Sequence, residues 1–302
     1  MNSKNTNWSD YIQSSEELYR SRSLRFRADN AVVWLPFLHI NDGAVILEIG
    51  CAGGSLLHRV KQLIPSVTAI GLDRDSGHID YAKSKTAELN LECDFQVGDA
   101  LSLPFEDNSF DVTFSHTLTG HVPIEPFLSE QLRVLKPGGR VVVLSARTKL
   151  GLNAENWKPI EADEQALFDK LWNAVDKNLD REIGVGAYEL DEQKYPAALE
   201  TAGFEQVDIE FFTVVAYSPD NHGTSDEMAI EQIETNRTHA LESVIKALRR
   251  APEALTENEK AELFRRINDR YDTRIVQYQN GEKLWDVTTS TVLCATGRKP
   301  NH

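Results

Sequence analysis

Cysteine and methionine are scarce, with three of the first (Cys51, Cys93, Cys294) and two of the second in 302 residues. An odd number of cysteines, far apart and never spaced C-x-x-C, indicates neither a disulfide framework nor a zinc site. Reduced thiols in or near strands are expected. Basic residues are also few: 32 Lys and Arg stand against 47 Asp and Glu, for a formal net charge of -15. Duplex nucleic acid is bound by a basic face that releases counterions, so a nucleic-acid partner is disfavoured. The excess acid lies mostly in the second half, on predicted helices, and reads as solvated faces. No apolar run approaches the roughly 20 residues that span a bilayer, and the polar opening Met1 to Asp10 has no signal-peptide core. A cytoplasmic protein without membrane contact is the expectation. Internal repeats and low-complexity runs are absent.

What is present is enough apolar residue, 41% against 26% charged, to bury the core of one large domain or two small ones. The organising stretch is Val45-Ile46-Leu47-Glu48-Ile49-Gly50-Cys51-Ala52-Gly53-Gly54, followed by Ser55 to Ile64. An apolar β-prone run leads into a Gly turn. Leu56, Leu57, Val60, Leu63 and Ile64 then repeat at helical spacing. Strand, tight turn and helix follow, with little side chain at the turn and free N–H groups at the helix start. A ligand is expected there. The dinucleotide fingerprint G-x-G-x-x-G is missing, since Gly50, Gly53 and Gly54 fall at other offsets. Glu48 suits a cationic or hydroxyl-rich ligand better than a pyrophosphate.

Four further segments follow in order: Val67 to Asp73, a strand ending in an acid; Gln96-Val97-Gly98-Asp99-Ala100; Ser109 to His116, another strand; and Glu130-Gln131-Leu132-Arg133-Val134-Leu135-Lys136-Pro137-Gly138-Gly139. Strand and helix alternate through residue 145, the mark of a parallel doubly wound sheet. Together with Glu48-x-Gly50-x-Ala52-x-Gly54, these segments resemble the class I S-adenosylmethionine-dependent methyltransferases of the ubiquinone/menaquinone-type subgroup, strongly over residues 45 to 145 and moderately over 190 to 212. Ala52 stands where the pattern has its middle glycine, and Arg74 where an apolar residue is usual.

The resemblance implies an α/β fold: a seven-stranded Rossmann-like sheet, mostly parallel with its last strand antiparallel, carrying helical insertions. It implies S-adenosylmethionine as cofactor and S-adenosylhomocysteine as product. Carried over residue by residue, the cofactor contacts are Glu48, Gly50, Cys51, Ala52 and Gly54 at the turn and Asp73 on the ribose hydroxyls. The stem of Arg74 would cover the adenine, Asp99 and Ala100 form the adenine turn, and Ser115 and His116 end the fourth strand. Helices before the core often lie over the cofactor in this family, which makes Tyr19 and Arg25 candidates for the methionine carboxylate or an acidic substrate. The competing reading is a solvated helix whose arginines pair with Glu16 and Glu17. His121 occupies a position often filled by His in the subgroup and is the candidate catalytic base, against a loop histidine that only holds backbone. His116 and His121 have only Glu125 near them in sequence as a third ligand, so no metal is expected.

The chain divides into an amino-terminal helical cap (1–42), a cofactor-binding core (43–147), an insertion or lid (148–190), more core (191–216), a helical insertion (217–286) and a closing strand with tail (287–302). The lid holds Trp157, the stripe Phe168, Leu171, Trp172 and Val175, and the flexible Gly184-Val185-Gly186. The second insertion carries two amphipathic helices, one opened by the capping box Thr256 to Glu259. Their apolar faces need a partner: the main domain, the amino-terminal helices, or a second subunit in a homodimer. Ser115-His116-Thr117-Leu118 replaces the Asn/Asp-Pro-Pro-Tyr/Phe of amino-methylating DNA enzymes, and no Pro-Cys pair serves cytosine C5 chemistry, which points to a small-molecule acceptor. A nicotinamide oxidoreductase and a non-catalytic binding module are the competing functions.

Overall fold

The computed structural model describes residues 8–154, 160–175 and 186–301. β1 (Val45–Ile49), β2 (Thr68–Asp73), β3 (Cys93–Val97), β4 (Phe110–His116) and β5 (Leu135–Ala146) pair in parallel, in the order β3-β2-β1-β4-β5. Beyond β5 the sheet turns antiparallel. The two-residue β6 (Asn153–Ala154), β7 (Glu205–Tyr217) and β8 (Val287–Arg298) complete it, with β8 pairing antiparallel to β5, β6 and β7. This is the doubly wound, Rossmann-like α/β sheet expected from the sequence. The added eighth strand is β6, which occupies the edge of β8 past the end of β5.

Side chains alternate along each strand, and both faces of the sheet are covered. Ile46, Val142, Leu144, Val292 and Cys294 face one side, against Leu56, Leu57 and Val60 of helix Ser55–Leu63 and the amino-terminal Trp34 and Leu38. Leu47, Ile49, Val141, Val143, Leu293 and Ala295 face the other, against helices Ile124–Val134 and Lys194–Thr201. Two prolines set helix boundaries. Helix Ala31–Trp34 stops before Pro36, and Leu35–Leu38, which contains it, is a 3-10 turn. Helix Lys194–Thr201 carries Pro196 in its first turn, where its missing N–H has no helical acceptor to leave vacant.

The insertion forms helices Asp226–Arg250 and Glu257–Gln279, the second opened by the expected box of Thr256 and Glu259. Their apolar faces are used inside the chain: Ile233, Val244, Ala247, Leu263 and Ile267 form a third cluster with Leu171 of helix Ala162–Ala174. Trp172, expected in that packing, turns outward instead, being 43% exposed. Trp157 and Gly184-Val185 lie outside the described residues. Helix Asp226–Arg250 also rests on helix Ser15–Arg25. There the buried Glu17 accepts from Lys246 Nζ at 2.8 Å and pairs with His239 Nδ1 at 2.9 Å. Glu16 pairs with Arg20 as in a solvated helix, whereas Glu17 fastens that helix to the insertion. Among the described residues no helix is long and apolar enough to cross a membrane.

Candidate active site

β1 ends at Ile49, and the chain turns through Gly50 to Gly54 into helix Ser55–Leu63. The turn enters the left-handed region at Gly50 (φ 72°), Ala52 (φ 46°) and Gly54 (φ 81°). An L side chain costs about 1–2 kcal/mol there. The Ala52 N–H offsets this by donating to Asp73 Oδ2 at 2.9 Å, while the N–H groups of Gly50 and Cys51 go to the Leu72 carbonyl. The outer glycines are required by packing: a Cβ on Gly54 would lie 2.6 Å from Phe95 Cζ, and one on Gly50 would lie 3.0 Å from the Leu118 methyls.

The parallel sheet brings most of the expected residues to one edge, the carboxyl ends of β1 to β4. Asp73 closes β2, and besides the Ala52 bond its Oδ1 accepts the Asp75 N–H at 3.0 Å. A carboxylate oxygen has two lone pairs, so each retains acceptor capacity. Asp99 is exposed beyond β3 beside Ala100, with Oδ1 accepting the Leu101 N–H at 2.9 Å. Arg74 is exposed next to Asp73. Glu48 is fully buried; Oε2 accepts the Leu57 N–H at 3.1 Å, and Oε1 has no partner among the described residues. Burial pushes its carboxyl up to about 8, against the pull of the Arg22 guanidinium. Ser115 Oγ and His116 Nδ1, at the end of β4, are also buried without a partner. Burial holds the Cys51 thiol well above its ordinary range, so it is a packing group and not a nucleophile.

Sequence reading missed Arg22. It lies on helix Ser15–Arg25, half-buried, where the charges of Glu48 and Asp73 act on it, and burial lowers its pKa. Among the described residues its guanidinium has no hydrogen bond or ion pair. Tyr19 stands about one turn before Arg22, its ring 5.9 Å from His58 and 5.7 Å from Tyr81. Arg25 reaches past β1: its Nε donates to Ser290 Oγ at 2.7 Å, and its Nη1 lies 3.2 Å from His116 Nε2. Spacing gave no signal, since Tyr19 and Arg25 each stand three residues from Arg22 and flank it equally on the helix. The docking of the helix decides which face turns inward.

His121 sits in the loop after β4, its ring edge-on to Trp8 at 4.7 Å and its Nδ1 accepting the Gly186 N–H at 3.1 Å. Burial, then Arg74 and Arg22, push it down to about 4. The ring is therefore neutral at pH 7, with its proton on Nε2 and its lone pair already engaged. Trp8 and Ser9 begin a strap across this edge. The Ser9 N–H and Oγ donate to Asp75 at 2.6 and 3.0 Å, and the Ser15 carbonyl lies 3.3 Å from where a Gly53 Cβ would stand.

These histidines fix a pH response. Burial pushes His58 down to about 4, like His121, and holds His116 well below the usual imidazole range. Each stays neutral in the fold while the unfolded chain binds a proton near pH 6.5. The stability they contribute is complete above about pH 6.5 and is lost as pH falls toward 4. Glu48 acts oppositely: its raised pKa stabilises the fold below the unfolded value near 4.5, and that contribution is lost as pH rises toward 8. A nuclear magnetic resonance titration should find His58 and His121 neutral in the native protein at pH 5.5. Protonation of either near pH 6.5 would refute the burial argument.

A family model described as a methyltransferase domain matches residues 40–203, more than half of the chain. Norajmaline N-methyltransferase of Rauvolfia serpentina is 35% identical over 129 residues, 42% of this chain and 43% of that one. Demethylmenaquinone methyltransferase of Symbiobacterium thermophilum is 37% identical over 112 residues, 36% of this chain and 45% of that one. The chain spans about half the length of the curated relatives it matches. Among solved structures, phosphoethanolamine N-methyltransferase 2 of Haemonchus contortus, in complex with S-adenosylmethionine, shares the fold with a TM-score of 0.54. Its identity is 14%, over 98% of this chain and 60% of that one. A family match that begins just before β1 and runs through the segments gathered at this edge gives one conclusion: the chain belongs to the methyltransferase domain family, among the class I S-adenosylmethionine-dependent methyltransferases.

Proposed function

We propose that the protein transfers a methyl group from S-adenosylmethionine to a small-molecule acceptor, releasing S-adenosylhomocysteine. The observation that carries this reading is the pair of unmatched groups beside the turn, the Arg22 guanidinium and the buried Glu48 Oε1. They complement the carboxylate and ammonium of an amino-acid moiety, which the cofactor has and a nicotinamide dinucleotide lacks. The open lone pairs of Asp73 suit ribose hydroxyls, and the Asp99-Ala100 turn with the stem of Arg74 suits adenine.

When bound, the cofactor supplies a methyl group made electrophilic by its sulfonium. What the protein contributes is position and the exclusion of water. Helix Ser15–Arg25 lies over the turn and is held by Glu17 to the insertion, and we read residues 217–286 as the cap of the substrate site. A homodimer through the insertion is not part of this reading, because its apolar faces are used within the chain. His121 presents an Nε2–H, so we assign it the orientation of the acceptor by donation and not the removal of a proton. The relatives named above act on chemically different small molecules and support that class alone. The net charge supports the same class over nucleic acid, and unpaired cysteines support a reducing cytoplasmic setting.

The test is a calorimetric titration with S-adenosylmethionine, S-adenosylhomocysteine and NAD, followed by labelled methyl transfer into a metabolite extract read by mass spectrometry. The first two ligands should bind and raise the melting temperature. Binding of NAD without either of them would overturn the reading.

A further inference from the structure

Arg22 and Arg25 stand about one turn apart on helix Ser15–Arg25 but serve different parts of the sheet. Arg22 faces the acids at the ends of β1 and β2. Arg25 holds Ser290 of β8 and His116 at the end of β4. In the order β2-β1-β4-β5-β8, those partners lie on the side of β1 away from Asp73 and Asp99.

Neither partner of Arg25 brings a negative charge. Ser290 is neutral, and His116, buried and beside this guanidinium, is held neutral too. No carboxylate of the described residues forms an ion pair with Arg25. The buried arginines among the described residues are matched, Arg274 by Asp220 and Asp286, Arg270 by Glu164, Arg27 by Asp29, whereas the half-buried Arg25 is not. An unmatched guanidinium away from bulk water is costly unless a ligand supplies the counter-charge. Burial and the neighbouring Arg22 push Arg25 down to about 10, which leaves it charged at neutral pH.

The proposed cofactor does not supply that charge. Its carboxylate is assigned to Arg22, and its ammonium and sulfonium add positive charge to the site. Resting on the proposed methyltransferase activity, we propose that the acceptor is a small molecule bearing a carboxylate or phosphate, and that Arg25 grips this oxyanion as a handle. Nε and Nη1 each have one partner among the described residues, so Nη2 and the second Nη1 hydrogen are left to donate to an oxyanion. The gripped group is not the attacking atom, because a guanidinium stabilises the oxyanion before reaction more than the neutral ester it would become. The methyl goes to another atom of the same molecule.

The experiment uses the whole chain saturated with S-adenosylhomocysteine and titrated calorimetrically with acetate, inorganic phosphate, benzoate and phenyl phosphate, against benzamide and benzyl alcohol. At least one anion should bind and the neutral compounds should not; the carboxylate and phosphate arms identify the handle. Arg25→Gln should weaken anion binding about 10- to 100-fold, the range for hydrogen bonds to a charged group. Its affinity for S-adenosylhomocysteine should stay within about twofold, and Arg25→Lys should restore part of the anion affinity. Failure of S-adenosylhomocysteine to bind the wild-type protein would overturn the cofactor assignment, and this proposal with it. If it binds, then no anion binding, equal binding of benzamide, or unchanged anion affinity in Arg25→Gln would overturn the handle alone.

Discussion

Substituting methionine for Arg274 is expected to lower folding stability by about 3–5 kcal/mol, the cost of breaking a buried ion pair from one side. Arg274 is completely buried in helix Glu257–Gln279, with Nε donating to Asp286 Oδ2 at 2.9 Å and Nη2 to Asp220 Oδ2 at 2.7 Å. Asp220 follows β7, and Asp286 immediately precedes β8, so the two acids mark where the insertion leaves the sheet and where it returns. Asp220 Oδ2 also accepts the N–H groups of Leu284 and Trp285. The guanidinium therefore closes the neck of the cap. Without it, two carboxylates remain in a site that excludes water, and the cap should loosen before the sheet melts. Urea unfolding gives the magnitude, and hydrogen exchange of residues 226–279 shows where it falls. A loss below about 1 kcal/mol would mean that water reaches the acids. Replacing Asp220 and Asp286 by Asn in the same protein should recover much of the loss, since the uncompensated charge is then gone.

The second large effect is on cofactor binding. Asp73→Ala should weaken S-adenosylmethionine binding by about 1.5–3 kcal/mol, the range for hydrogen bonds to a charged acceptor. Two roles meet in this carboxylate. It holds the strained Ala52 through its N–H, and its remaining lone pairs face the edge where the ribose is proposed to lie. Asp73→Asn retains one acceptor oxygen, which can keep the Ala52 or the Asp75 N–H but not serve both as the carboxylate does, so it should fall between alanine and wild type. Calorimetry on folded variants decides the matter. Unchanged affinity in Asp73→Ala would remove the residue from the cofactor site.

Several features were readable because short-range chemistry dictates them. The capping box at Thr256 needs only residues within one turn, and the Gly turn after β1 is announced by the residues that form it. Ala52 shows the limit. Its left-handed backbone was not visible in its side chain, and what compensates it is an acid 21 positions away in sequence. The packing role of the outer glycines was hidden for the same reason. Phe95, which fills the space over Gly54, comes from β3, two strands away from β1.

The sequence by itself determined the order of strands and helices, the parallel core, and the edge to which Gly50, Asp73, Asp99 and His116 come. Period-2 and period-3.6 apolar patterns select which faces are buried, and a doubly wound sheet carries its strand ends to one side. Only the tertiary structure decided how helix Ser15–Arg25 docks, and so set Arg22 toward Glu48 and Asp73, laid Tyr19 against His58 and Tyr81, and sent Arg25 to β4 and β8. It alone joined Glu17 to Lys246 and closed Arg274 between Asp220 and Asp286. The reason is that a charged side chain on an amphipathic helix reads the same whether water or a buried counter-charge awaits it. Desolvation and the partner's position, set by contacts distant in sequence, distinguish the two.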